Sequence, residues 1–173
     1  MRIKIKPPYD NKKYDSVPVV VGIDNGVSGA ITILALDGTI VYHAKTPVKR
    51  CLSYTKAKQW VNRIDVEKLK ARLSLSGIRQ CLVERPMINP MRFKASVSAI
   101  RCLEATQIIL EQLRIPYEML DSKSWQKELL PSGLHKEELK SAALDVARRL
   151  FPKLEIVNAD SVLIAEYCRR KKR

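Results

Sequence analysis

The sequence predicts an α/β fold: a mixed five-stranded sheet, made of a three-stranded antiparallel meander plus two parallel strands, with helices on both faces. Three observations predict it. The first part of the chain holds strand-length apolar runs separated by turn residues, and the later part alternates such runs with stretches of helical periodicity. A length of 173 residues accommodates one domain of ordinary size.

Val17-Pro-Val-Val-Val-Gly-Ile-Asp24 is a nearly continuous β-branched run, the pattern of a strand covered on both faces. Gly26 and Gly29 bracket a turn, and Ala30 to Leu36 forms the second strand. Asp37-Gly38 is a strong hairpin signal, returning the chain through Thr39 to His43 as the third. From about Thr55 to Leu75 the positions of Trp60, Val61, Ile64 and Leu69 predict a helix, with Gly77 as its stop. Ile78 to Glu84 is the fourth strand, closed by Arg85-Pro86. Lys94 to Leu113 is a long amphipathic helix carrying Val97, Ile100, Leu103, Ile108 and Leu110, and Pro116 follows it. Tyr117 to Asp121 is the fifth strand, and Leu134 to Leu150 is a helix ended by Pro152. The last helix begins near Asn158 and runs toward the terminal Arg169-Arg-Lys-Lys-Arg173. This divides the chain into a basic tail at 1–16, one domain at 17–168 and a basic tail at 169–173. If a right-handed crossover brings strand four beside strand one, in parallel, their C-terminal ends are neighbours. Open α/β sheets place their sites at that edge.

Composition narrows the function. A hydrophobic fraction of 46% excludes a disordered chain. No apolar run approaches the roughly 20 residues of a bilayer span, and the opening Met1-Arg-Ile-Lys-Ile-Lys-Pro-Pro lacks the apolar core of a signal peptide. An intracellular, cytoplasmic protein that is not secreted is therefore expected. The net charge of +14 favours a polyanionic partner over a solubility device or a membrane-surface patch, because each phosphate neutralised by Lys or Arg releases a counterion. Cys51, Cys81, Cys102 and Cys168 are far apart and lack metal-ligand spacing, as reduced thiols would.

Three acids sit where that charge cannot explain them. Asp24 ends strand one and Glu84 ends strand four, each after an apolar run where a carboxylate is costly unless it meets water, a cation or several donors. Asp160 opens the last apolar helix, and if that helix packs on the same edge it joins the cluster. Each has an ordinary alternative: turn chemistry at Asp24-Asn25-Gly26, a strand-end ion pair at Glu84, and a first-turn helix acid at Asp160 with Asn158 as N-cap. Gathered together, the three repel one another, and a divalent cation relieves the conflict. Mg²⁺ suits such oxygen ligands, and two ions per site can activate a water and stabilise the departing oxygen of a phosphodiester.

These residues also resemble a known family. Gly22-Ile-Asp24-Asn-Gly26-Val-Ser-Gly29-Ala, Val83-Glu84-Arg-Pro86 and Ala159-Asp160-Ser-Val-Leu163-Ile-Ala165-Glu-Tyr167 are similar to motifs of the RuvC-like Holliday-junction resolvases. Trp125-Gln-Lys-Glu-Leu-Leu-Pro131 and Ala147-Arg-Arg-Leu-Phe151-Pro152 look like the phage and plastid branches. The resemblance covers roughly Val19 to Arg170 and implies an RNase H-like fold, a homodimer, and paired Mg²⁺- or Mn²⁺-dependent nicking of four-way DNA junctions, without a small-molecule cofactor. It implies a bacterial or phage-infected cell as the setting. By position, Asp24, Glu84 and Asp160 become metal ligands. Bacterial relatives carry Asp or His three residues before the last acid, where this chain has Val157; plastid-type relatives carry Asp five before, where it has Glu155. Glu155 is the expected fourth ligand, with neutral Asn158 as the alternative.

Relatives carry a basic residue beside the scissile phosphate just after strand five, which implies that role for Lys123, the alternative being a solvated surface lysine; Lys94, Arg101 and Lys127 are expected on the DNA backbone. The resemblance implies that the helix from Lys94 to Leu113 is the dimer element, the alternative being plain core. The apolar loop Arg85 to Phe93 offers Phe93 or Met91 as a wedge at the junction centre, or packs beneath itself. Competing readings are a non-cutting DNA-binding relative and an RNase H-like nuclease acting on RNA-containing substrates. A sugar kinase that opens on a similar hairpin needs a second domain that this length does not supply.

Overall fold

The computed structural model describes residues 14, 17–54, 56 and 58–172; of the basic segment expected at 1–16, all but Tyr14 lies outside them. β1 (Val19–Asp24), β2 (Ala30–Ala35) and β3 (Ile40–Lys45) form the expected antiparallel meander. After an excursion, β6 (Ile78–Glu84) returns parallel to β1, and β7 (Tyr117–Leu120) lies parallel to β6. The sheet order is β3-β2-β1-β6-β7, so β1 is central, and Val19, Val20 and Val21 are all fully buried. This is the predicted mixed sheet.

Helices cover both faces. On one, Val19, Val21, Ile31, Ile33 and Val83 pack against Leu69 and Leu73 of α1 (Val66–Leu73) and against Ile109 and Leu110 of α2 (Phe93–Gln112). On the other, Val20, Leu34 and Leu82 meet Trp125 of α3 (Ser122–Leu129), Ala143 and Ala147 of α4 (Leu139–Leu150), and Val162 to Ala165 of α5 (Ala159–Lys171). Among the described residues no helix is long and apolar enough to cross a membrane.

α5 is buried from Ser161 to Arg169 and runs across the middle of the sheet. Gly22 permits this approach, since a Cβ there would stand 2.3 Å from the Ala165 backbone nitrogen and 2.5 Å from the Ser161 carbonyl oxygen. Near its far end, Glu166 is 2% exposed and accepts from Arg169 at 2.7 and 2.8 Å and from Arg170 at 2.8 Å. Arg169 also donates to the Leu36 carbonyl. The first residue of the expected basic tail is thus tied into the core, and the helix continues to Lys171.

The structure corrects the sequence expectation between β3 and β6. The predicted helix from Thr55 to Leu75 is replaced over its first half by a two-stranded antiparallel hairpin of β4 (Val48–Leu52) and β5 (Trp60–Ile64). Trp60, Val61 and Ile64 fit helical spacing, but aromatic and β-branched side chains favour a pleated surface when a partner strand is available. Here Val61 pairs with Cys51 and Trp60 with Leu52. Asp65 then caps α1 by accepting from the Lys68 backbone nitrogen at 3.2 Å, fixing the helix start at Val66. A second correction lies at Leu134, where the expected helix begins five residues late: Gly133 has φ +80°, and Glu138 accepts from the His135 backbone nitrogen within a turn. α3 was not anticipated.

Candidate functional site

β1 and β6 run parallel with Ile23 opposite Val83, so Asp24 and Glu84 leave the sheet side by side at its C-terminal edge. Both are half-buried. Glu84 Oε1 accepts from the Trp125 indole nitrogen at 3.2 Å, which ties α3 to the strand end. Asp24 Oδ2 accepts from Asn158 Nδ2 at 2.8 Å, which ties the start of α5 to the same edge. Asp160 lies two residues further on, half-buried in the first turn of α5.

The acids perturb one another. Burial, then the charge of Glu84, raises the Asp24 carboxyl from 3.8 to about 7; Asp160 adds to this, while the Asn158 hydrogen bond opposes it. Burial and then Glu84 also raise the Asp160 carboxyl, against the pull of Lys140. Glu84 is therefore the common neighbour of the other two. Among the described residues, however, no three His, Cys, Asp or Glu side chains gather closely enough to form a metal cage. The geometry is an interacting Asp24–Glu84 pair with Asp160 charging its surroundings. Its all-oxygen donor set and its excess of negative charge fit a hard divalent cation that keeps several of its waters.

Glu155 and Asn158, the two candidates for the fourth position, are placed differently. Glu155 is exposed, and its charge does not figure among the causes that shift Asp24 or Asp160. The Asn158 side chain joins the site while its Oδ1 caps α5, accepting from the Ser161 backbone nitrogen at 2.8 Å. The N-cap reading of Asn158 and its contact with the acids hold together.

A partly buried polar chain behind the site was missed by sequence reasoning. The Val157 backbone N–H donates to His43 Nε2 at 3.0 Å, so His43 carries its proton on Nδ1, which meets Thr32 Oγ1 at 2.9 Å. Thr32 in turn meets Ser161 Oγ at 3.0 Å, and Ser161 donates to the Asn158 carbonyl. Burial lowers the His43 pKa to about 4, keeping the ring neutral as this chain of bonds requires. The available signal was a Thr at the middle of an apolar strand and a His on its neighbour. Neither carries a motif.

The expected DNA contacts are all on the surface. Lys123 and Lys127 are exposed on α3, and Lys94 and Arg101 are exposed on α2. Arg101 lies over the Tyr54 ring at 4.9 Å. Met91 is 93% exposed and Phe93 is 72% exposed, so neither packs beneath the loop.

No protein-family model and no curated protein matches the sequence. Solved structures do. The fold is similar to that of Thermus thermophilus RuvC, with a TM-score of 0.58 and 18% identity over 89% of this chain and 95% of that one. The same TM-score of 0.58, at 14% identity over 90% and 95% of the two chains, relates it to T. thermophilus RuvC solved in complex with a Holliday junction substrate. The yeast mitochondrial Holliday junction resolvase Ydc2 matches at a TM-score of 0.44 and 12% identity, over 90% of this chain and 79% of that one. With the mixed sheet and its helices, the two RuvC matches establish the RNase H-like fold.

Proposed function

We propose that the chain is a structure-selective endodeoxyribonuclease that binds four-way DNA junctions and resolves them by paired, metal-dependent hydrolysis. One observation carries the reading: Asp24 and Glu84 interact at the ends of adjacent parallel strands, with Asp160 charging the same edge, on a chain of net charge +14. Half-buried acids that raise one another's pKa mark a functional-site candidate, and phosphodiester chemistry needs this pairing of acidic site and basic surface. The likeness to a RuvC solved with a Holliday junction supports the substrate class.

In this reading Asp24 and Glu84 hold Mg²⁺ or Mn²⁺, with Asp160 as the third carboxylate and Asn158 in the fourth position. A divalent ion supplies Lewis-acid stabilisation and a more acidic bound water. The protein's own contribution is orientation. Asn158 holds Oδ2 of Asp24, and the Trp125 indole holds Oε1 of Glu84. Lys123 and Lys127 lie on the helix that carries Trp125, where they meet DNA phosphates near the acids. A two-fold dimer through α2, which exposes Ile100 and Ile108, would present one acidic edge to each of two opposed strands.

The test is cleavage of a synthetic four-way junction with and without Mg²⁺ or Mn²⁺, beside linear duplex and RNA–DNA hybrid. Metal-dependent, junction-selective nicking at paired positions is expected. A second reading, a junction binder that does not cut, is favoured by the neutral Asn158 at Asp24 and by the absence of a three-acid cage among the described residues. Tight binding without nicking in either metal would decide for it, and preferential cutting of the hybrid would decide for an RNase H-like activity.

A further inference from the structure

The hairpin that replaces the expected helix forms one wall of a groove, and α2 forms the other. The groove has a volume of about 320 Å³ and a floor of Val61, Ile64, Val66 and Val97. That volume gives room for a flat base and not for a duplex. Tyr54 and Phe93 line it, 83% and 72% exposed, together with Arg63, Lys94 and Arg101. No Asp or Glu is among its described lining residues.

We propose that this groove binds a single DNA strand through its unpaired bases. Tyr54 and Phe93 provide the stacking surfaces, and Arg63, Lys94 and Arg101 hold the phosphates. Apolar floor, open aromatic rings and cations are the combination by which proteins hold a lone strand, since every base has a π-face and every linkage a charge. The Arg101 guanidinium over Tyr54, at 4.9 Å, orients the ring before any base arrives.

The charge pattern of the hairpin independently points to an anion. Residues 48–64 contain Lys49, Arg50, Lys56, Lys58 and Arg63 and no Asp or Glu. Lys49 stands directly across the ladder from Arg63, and both are exposed. Like charges in that register destabilise a hairpin unless an anion lies between or above them. Asp65, the acid that follows, is engaged by Lys68 at 3.2 Å and also feels the charge of Lys49, so one carboxylate is shared between two cations. A polyanion supplies the remaining counter-charge. A protein partner recognised through this groove would have to be strongly acidic.

The proposal rests on the DNA-binding half of the proposed function and not on its cleavage chemistry. It is tested with the full chain, using fluorescent oligothymidylate and a linear duplex of equal length, read by anisotropy. Tyr54→Ala and Phe93→Ala should each weaken oligothymidylate binding about tenfold while changing duplex affinity less than twofold. Tyr54→Phe should restore binding, because stacking needs the ring and not the hydroxyl. These side chains are exposed, and circular dichroism of each variant should match the wild type. Oligothymidylate carrying 5-iododeoxyuridine should photo-crosslink to Tyr54 or Phe93. Equal losses on strand and duplex, failure of the Phe rescue, or crosslinks confined to residues outside the groove would overturn the proposal. If the wild type binds a four-way junction but not oligothymidylate, the groove assignment falls alone. If it binds neither, the proposed function falls with it.

Discussion

Asn158 donates its side-chain N–H to Asp24, with Nδ2 2.8 Å from Oδ2, while its own Oδ1 caps α5 at the Ser161 backbone nitrogen, also at 2.8 Å. One side chain therefore fixes the last helix and an acid at the sheet edge. Asn158→Ala removes both bonds and should lower stability by about 1 kcal/mol through the cap alone. Asn158→Asp keeps the capping oxygen but sets a new negative charge against Asp24. The metal-free melting temperature should fall, and Mg²⁺ should restore it more than it raises that of the wild type. Melting curves with and without Mg²⁺ check this. An unchanged metal response would place the position out of the ion's reach.

The Asp24 carboxyl, raised to about 7 by burial and by Glu84, gives the metal-free protein an unusual pH dependence. The folded chain keeps this proton after the unfolded chain has released it near the ordinary carboxylate value. The contribution is thus complete below about pH 4 and declines as pH rises toward 7, by on the order of a few kcal/mol. Asp24→Asn should remove that decline and melt higher than the wild type at pH 8 without metal. It should also abolish junction cutting while leaving junction affinity within a few-fold. Undiminished cutting by the variant would take Asp24 out of the mechanism.

Much of this was legible in the sequence, for physical reasons. A sheet buried on both faces writes itself as continuous β-branched runs, so β1, β2 and β6 could be read with Asp24 and Glu84 at their ends. The hairpin could not be read in the same way. Over residues 60–64 three apolar side chains satisfy the helical period, and pairing with 48–52 is a non-local choice. α3 is only eight residues long and carries one buried side chain, Trp125, too little for a periodic signal. The chain from His43 to Asn158 joins residues more than a hundred positions apart, and no local pattern announces it. The same limit applies to Asn158, whose bond to Asp24 spans 134 residues, whereas Glu155 was pointed to by the family resemblance alone.

Glu166 is the opposite of Asp24 in its pH behaviour. Burial pushes its carboxyl up, but hydrogen bonds from Arg169 and Arg170 outweigh this and hold it below the usual value. Its stabilising contribution is present above the ordinary carboxylate range and is lost as pH falls through the folded-state value. Glu166→Gln leaves the guanidinium of Arg169 facing an uncharged amide in a site where Arg169 is only 9% exposed. Removing one partner of a buried pair costs about 3 kcal/mol or more. Urea titrations at neutral pH should show that loss. Below pH 4 the difference between variant and wild type should narrow, and a constant difference across pH would mean that packing, not charge, holds α5 at this end.

Gly22 links fold and site most directly. Ser161 and Ala165 of α5 lie against it, and a methyl group there would meet backbone atoms 2.3 and 2.5 Å away that no side-chain rotation can move aside. Gly22→Ala must therefore displace the helix or the strand, at about 1–3 kcal/mol for overpacking. Asp24 follows two residues after Gly22 on β1, while Asn158 and Asp160 open α5, so the displacement opens the Asn158–Asp24 bond along with the packing. Stability and site geometry should fail together. Cutting of a four-way junction should drop far more than junction affinity, even at temperatures where circular dichroism shows the variant fully folded. An enlarging substitution at the other end of the sheet, Ala35→Val, where Ala35 pairs with Val19 and packs on the face away from α5, should cost comparable stability and spare cutting. If both variants lost activity in proportion to stability, the contact at Gly22 would be ordinary core packing and not the joint that sets the distance between the acids.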